Sequence, residues 1–139
     1  MAGLVRRPIH LLVALVLFGV LVAIEGLVDG GFVRNTVGDV VVVIFLYALL
    51  RAVAPCSPPP AAAAVLALAF AIEAIQALDL IDRLGIQRSR LIDVVLGSTF
   101  TWGDLVAYTI GVAVALGAER GASLLRLRSA SGSGDSRTC

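Results

Sequence analysis

Six polar side chains interrupt stretches of sequence that are otherwise apolar, and they are the residues best able to do chemistry. They are Glu25, Asp39, Glu73, Gln76, Asp104 and Tyr108. Carboxyl, amide and phenol groups brought together can bind a polar headgroup or exchange protons. Inside a lipid bilayer each ionised group costs about 2.5–3.5 kcal/mol on insertion scales, so each needs a structural or functional reason to be there.

The composition indicates that lipid surrounds the elements carrying these residues. Of the 139 residues, 59% are hydrophobic and 15% are charged, whereas a soluble domain is about half apolar and about a quarter charged. A net charge of +1 gives no general attraction to nucleic acid, so none is expected as a partner. All eleven basic residues are arginine, a bias typical of GC-rich, bacterial coding sequences.

Four apolar stretches predict an all-α polytopic membrane protein, folded as a four-helix transmembrane bundle. Since a spanning helix needs about 20 mainly apolar residues, the predicted spans are about 9–28, 37–53, 60–78 and 102–118. Residues 91–100 are too few to cross, so we expect a short interfacial or re-entrant segment before the last helix. Residues 1–120 would form the transmembrane domain and residues 121–139 a disordered cytoplasmic tail.

The distribution of arginine predicts the orientation of the bundle. Seven arginines would lie on the side of the two termini and four on the other side, so the positive-inside rule places both termini in the cytoplasm, at a bacterial inner membrane. The six polar residues then fall in the outer third of the membrane. The inner halves of the helices are expected to contain no ionisable group except arginines at their edges.

Helical spacing places several of these residues on shared faces. Glu73 and Gln76 are three residues apart, and Asp104, Tyr108 and Gly111 follow one another at four and three residues. Because small residues let helices approach closely in membranes, a strip of them predicts that the fourth span is the central packing element. The strip consists of Gly103, Ala107, Gly111 and Ala115.

Simpler explanations exist for some of the polar residues. Asp39 and Asp104 stand near predicted helix starts, where an acidic side chain caps free backbone N–H groups. Glu25 is close enough to the membrane surface to reach water. Glu73 lies deeper, in the half of its helix where the helix dipole disfavours an acid, which makes it the strongest candidate for a role in function.

Three motifs resemble a small bacterial membrane family catalogued as domain of unknown function 2809. The motifs are Glu73-x2-Gln76, the segment 96–100, and Asp104-x3-Tyr108-x2-Gly111. The resemblance extends over about residues 9–117 and implies no known activity. The same motifs are more distantly similar to VanZ-like proteins, which are associated with teicoplanin and lipoglycopeptide resistance, although Tyr108 stands where that family has Asn.

Three functions remain open. The leading hypothesis is a polar pocket that engages an envelope lipid or a lipid-linked precursor, with Arg83, Arg88 and Arg90 binding its phosphates. The second is a structural or assembly subunit. The third is a membrane enzyme or carrier that uses Glu73 and Asp104 as acid and base. No nucleophile motif or metal-ligand set is visible, so no catalytic residue, cofactor or metal is assigned, and a homo-oligomer is left open.

Overall fold

A computed structural model describes residues 2–29, 31–87, 89 and 100–132 of the chain. Its helices are α1 (Ala2–Leu27), α2 (Phe32–Val53), α3 (Pro58–Ala77), the short α4 (Leu80–Arg83) and α5 (Trp102–Gly132). All except α4 are long and apolar enough to cross a membrane. The predicted all-α fold with four membrane helices is therefore confirmed, and it fits a multi-pass membrane protein. The segment predicted to be interfacial or re-entrant lies outside the described residues except for Phe100.

The helix boundaries follow local sequence signals. Ser57 precedes α3, and prolines occupy its first turn, where a missing N–H costs nothing. Asp79 adopts a left-handed conformation with φ of 47° as the chain turns from α3 into α4. Helix α2 begins at Phe32, earlier than predicted, so Asp39 lies about 10 Å along the helix. Asp39 therefore does not cap α2, which removes that explanation for it.

Helix α5 is longer than predicted and changes the expectation for the inner half of the bundle. It has 31 residues and continues through 121–132, which the sequence predicted to be tail. This segment contains leucine and arginine, which favour helix, and no proline. Residues 133–139 lie outside the described residues. Because Glu119 falls inside a candidate membrane span, the expectation that the inner halves contain no ionisable group except edge arginines is wrong.

Helix α2 contacts more of the bundle than any other described helix. It packs against α1, α3 and α5, whereas α5 packs against α2 and α3. The expectation that the fourth span is central is therefore corrected, because among the described residues the backbone of α1 comes close to that of α2 and not to that of α5. The rings of Phe18 and Phe45 join α1 to α2 at 6.0 Å. Most other large apolar side chains of α1 are exposed and can face lipid.

The contact between α2 and α5 follows two stripes of residues spaced four apart, about one helical turn. On α2 the stripe consists of Asp39, Val43, Tyr47 and Arg51. On α5 it consists of Ala107, Gly111, Ala115 and Glu119. The two middle members of each stripe are buried, as is Ala107 at one end, and the charged members Asp39, Arg51 and Glu119 stand at ends. One helix pair thus carries apolar packing in the middle of the bundle and polar side chains towards both of its ends.

At Gly111 the backbone of α2 lies so close to α5 that a side chain on α5 would meet it. An added Cβ there would lie 2.9 Å from the carbonyl oxygen of Val40 and 3.4 Å from its Cα. Backbone atoms cannot move aside as the end of a flexible side chain can. Glycine at this position therefore lets the two helices meet.

Replacing Gly111 tests this contact directly. We expect Gly111→Ala to lower the free energy of unfolding by about 1–3 kcal/mol, as overpacking does in protein cores. The measurement is denaturant unfolding in detergent micelles. The control is Gly117→Ala, also in α5, where an added Cβ meets nothing within 4 Å and helix propensity predicts a gain of up to about 1 kcal/mol. Equal effects of the two substitutions would show that the α2–α5 approach does not depend on Gly111.

Candidate functional site

Helix α3 directs Glu73 into the bundle. Its buried residues include Ala61, Val65, Ala69 and Glu73, which are four apart and form a single stripe. Glu73 is only 2% exposed. The hydroxyl of Tyr108 donates a hydrogen bond of 2.8 Å to Glu73 Oε1, and this bond connects α3 to α5.

Two further carboxyl groups lie beside Glu73. Asp39 of α2 and Asp104 of α5 lie close enough for their side chains to interact, and Glu73 is close enough to interact electrostatically with both. We call Asp39, Glu73, Asp104 and Tyr108 the Glu73 cluster. It brings together, from three helices, four of the six residues that the sequence assigns to a polar pocket.

The Glu73 cluster is short of hydrogen-bond donors. Glu73 Oε2 is buried and has no hydrogen-bond partner among the described residues. A buried carboxylate oxygen without a partner is destabilising, and such atoms are rare in folded proteins. Three carboxyl groups and one phenol therefore favour an additional group that is positively charged or donates hydrogen bonds.

The other residues predicted for the pocket lie elsewhere or are half-buried near it. Glu25 is 67% exposed, and its Oε1 lies 3.9 Å from Nη1 of Arg34. The structure does not bring Glu25 into the Glu73 cluster. Among the described residues the backbone of α1 approaches only that of α2, and equal depth in the membrane does not fix which way a side chain faces. Gln76 is half-buried one turn from Glu73, and Gly103 is half-buried at the start of α5.

Of the three arginines predicted to bind phosphate, one is among the residues that the structure describes. Arg83 is exposed on α4, which packs against α3. Arg88 and Arg90 lie outside the described residues. The placement of Arg83 thus puts one guanidinium on the chain segment that directly follows the Glu73 helix.

A second polar cluster stands at the opposite end of the α2–α5 stripes. Glu119 accepts hydrogen bonds from the Tyr47 hydroxyl and from two guanidinium nitrogens of Arg51, the Nε bond measuring 3.3 Å. Nε2 of His10 lies 3.8 Å from Glu119 Oε1. The Arg51 side chain is 9% exposed and that of Glu119 13%. We call His10, Tyr47, Arg51 and Glu119 the Glu119 cluster.

The Glu119 cluster was missed because the predicted fourth span ended one residue before Glu119. Two sequence signals point to it. Glu119 continues the four-residue spacing of Ala107, Gly111 and Ala115, and Arg51 follows Tyr47 by four residues on α2. In addition, Arg51 Nη1 donates to the carbonyl oxygen of Cys56, which ties the pair to the turn between α2 and α3.

The two clusters differ in how well their groups are satisfied. In the Glu119 cluster a carboxylate faces a two-pronged guanidinium, which is the strongest common arrangement of such a pair. In the Glu73 cluster, the carboxyl oxygens outnumber the hydrogen-bond donors available among the described residues. Within the described ranges, no three His, Cys, Asp or Glu side chains are arranged to hold a metal ion. The groups of the Glu119 cluster thus satisfy one another, whereas Glu73 Oε2 of the Glu73 cluster has no partner among the described residues.

Breaking the Arg51–Glu119 pair should destabilise the bundle strongly. We expect Arg51→Ala to lower the free energy of unfolding by about 3–5 kcal/mol, since it leaves a buried carboxylate without its guanidinium. The control, Arg120→Ala, removes an arginine that is exposed and should change stability by less than about 0.5 kcal/mol. Unfolding in detergent measures both variants. Similar small effects would mean that the pair contributes no stability.

Comparison with known proteins identifies a family but no activity. A family model described as protein of unknown function DUF2809 matches residues 28–112, a range that includes all four residues of the Glu73 cluster. No curated protein and no solved structure matches the chain. Because the match covers more than half of the chain and agrees with the motif resemblance, this protein belongs to the DUF2809 family.

Proposed function

We propose that the Glu73 cluster binds the ammonium group of a membrane aminolipid. The observation that carries the proposal is Glu73 Oε2, buried and without a partner among the described residues. An ammonium group supplies three N–H donors and a positive charge. The carboxyl groups of Glu73, Asp39 and Asp104 supply neither hydrogen-bond donors of this kind nor a positive charge.

Burial limits which part of a headgroup can reach the cluster. Since Glu73 is 2% exposed, only a small tip can approach it. Asp104 is in the first turn of α5 and is half-buried, so the approach is past Asp104, from the end of the bundle where α5 begins. A primary ammonium can donate a hydrogen bond to Oε2, whereas the methylated ammonium of choline cannot. The proposed ligand is therefore an ethanolamine-type headgroup rather than a choline headgroup.

The remaining parts of the ligand are proposed from the sequence. Arg83, Arg88 and Arg90 would bind its phosphate through two-pronged contacts. The predicted orientation places the site in the outer leaflet of the inner membrane. The similarity to VanZ-like proteins extends the proposal to an amino-bearing, lipid-linked envelope precursor as the physiological ligand.

A structural role is the second candidate, and the bond between Tyr108 and Glu73 favours it. This bond joins α5 to α3, and hydrogen bonds between membrane helices stabilise by about 0.6 kcal/mol on average. If the cluster were purely structural, substitutions in it would lower the free energy of unfolding, and the protein would show no preference among lipids. Lipid selectivity therefore separates the two candidates.

Lipid titration of a charge-neutral variant tests the proposal. Wild-type protein should bind phosphatidylethanolamine about tenfold more tightly than phosphatidylcholine, since a charge-assisted hydrogen bond contributes about 1.5–3 kcal/mol. Glu73→Gln keeps the size of the side chain but should abolish this preference. Glu25→Gln is the matched control and should retain it, because Glu25 is exposed and faces Arg34. Native mass spectrometry from mild detergent counts the bound lipid, and an unselective wild type would refute the proposal.

Tyr108→Phe separates ligand binding from helix pairing. The substitution removes the hydrogen bond to Glu73 Oε1 and leaves all three carboxyl groups, so selectivity for phosphatidylethanolamine should persist. The free energy of unfolding should fall by about 0.6–1.7 kcal/mol. The same lipid titration and detergent unfolding report both effects. Lost selectivity with unchanged stability would contradict this division of roles.

A further inference from the structure

A groove lies between α1, α2 and α5, and His10, Tyr47 and Glu119 of the Glu119 cluster are among the residues that line it. Its volume is about 240 Å³. Alanines on α2 and α5 face it, and their small side chains leave space that larger residues would fill. These alanines are Ala48, Ala115, Ala118 and Ala122. We call this space the α1–α5 groove.

The polarity of the α1–α5 groove changes along its length. Its deep end, towards the middle of the bundle, is lined by Val13, Ile44 and Ala115. Its other end reaches Ser123 and Arg126, the latter about 10 Å beyond Glu119 along α5. An amphiphile would thus find an apolar deep end and a polar mouth, aligned along the helices as a membrane lipid is.

The charge at this mouth is positive. The carboxylate of Glu119 is already held by Arg51 and Tyr47, so its charge is balanced within the Glu119 cluster. Arg126 lines the groove and is exposed. A guanidinium in this setting complements an anionic group, above all a phosphate, which it binds through two parallel hydrogen bonds.

The volume of the α1–α5 groove limits the apolar part of a ligand that it can hold. Pockets for drug-sized molecules measure about 300–1,000 Å³, so the α1–α5 groove fits a narrower occupant such as a single hydrocarbon chain. We infer that the groove binds one acyl chain of an anionic phospholipid, whose phosphate contacts Arg126. This site stands at the opposite end of the bundle from the Glu73 cluster and selects the opposite headgroup charge, so it does not depend on the proposed function.

The test titrates the full-length protein with dioleoyl phosphatidylglycerol or dioleoyl phosphatidylcholine and counts bound lipid by native mass spectrometry. Wild type should prefer phosphatidylglycerol. Ala118→Phe, which fills the groove, and Arg126→Ala, which removes the charge, should each weaken phosphatidylglycerol binding about tenfold. Ala113→Phe and Arg128→Ala change exposed residues of α5 that do not line the groove and should bind as wild type does.

Ala118 is exposed, so phenylalanine there does not enter the core, and circular dichroism and size exclusion check the fold. Ala122→Phe fills the same groove from the next turn and replaces Ala118→Phe if that variant is misfolded. Equal binding of the two lipids by wild type overturns the inference, as does an equal loss in Ala118→Phe and Ala113→Phe. A dimer that disappears in Ala118→Phe also overturns it, because a second copy would then occupy the groove.

The two sites can be told apart in the same experiment. Glu73→Gln should lose selectivity for phosphatidylethanolamine and keep phosphatidylglycerol binding, while Ala118→Phe should do the reverse. A failure at one site therefore leaves the result at the other intact. Loss of both lipids in either single variant would contradict the separation of the sites and the inference with it.

Discussion

The approach of α2 to α5 is the constraint on which the rest of the bundle depends. Lipid offers no hydrophobic drive for helices to associate, so close packing of small residues must supply it. At Gly111 the two backbones come so near that an added Cβ would lie 2.9 Å from the Val40 carbonyl oxygen. This contact sets the register of the two stripes, and the register in turn brings Asp39 to Asp104 at one end and Arg51 to Glu119 at the other.

The same helix pair therefore ends in two polar clusters with different chemistry. At the Glu119 cluster, opposite charges and a phenol satisfy one another, which is how a buried charge becomes tolerable in a membrane. At the Glu73 cluster, the one phenol donates to Glu73 alone, and one buried oxygen has no partner among the described residues. The polar groups are thus satisfied by one another at one end of the bundle and short of donors, among the described residues, at the other.

The sequence predicts the number of helices and the depth of the polar residues in the membrane, but not the direction in which each side chain faces. The four spans follow from the lengths of the apolar stretches. The polar residues can be placed at one depth in the membrane because each lies only a few residues from the end of a predicted helix; these are Asp39, Glu73, Asp104 and Tyr108. Depth does not determine the direction in which a side chain faces, so Glu25 was grouped with residues that it does not contact. The Glu119 pairing was hidden because hydrophobicity fades after Ala118 although the helix continues, and Arg51 reads as an ordinary arginine at the membrane edge.

The ties made by Arg51 have a consequence for the order in which the chain assembles during synthesis. Its contact with the carbonyl of Cys56 spans five residues, so it can form as soon as the hairpin of α2 and α3 has left the ribosome. Its partner Glu119 is 68 residues downstream and does not yet exist at that stage. Until then the guanidinium must stay hydrated at the bilayer border, as a long cationic side chain near a helix end is able to do. The insertion of α5 then brings Glu119 to Arg51 and removes that guanidinium from water.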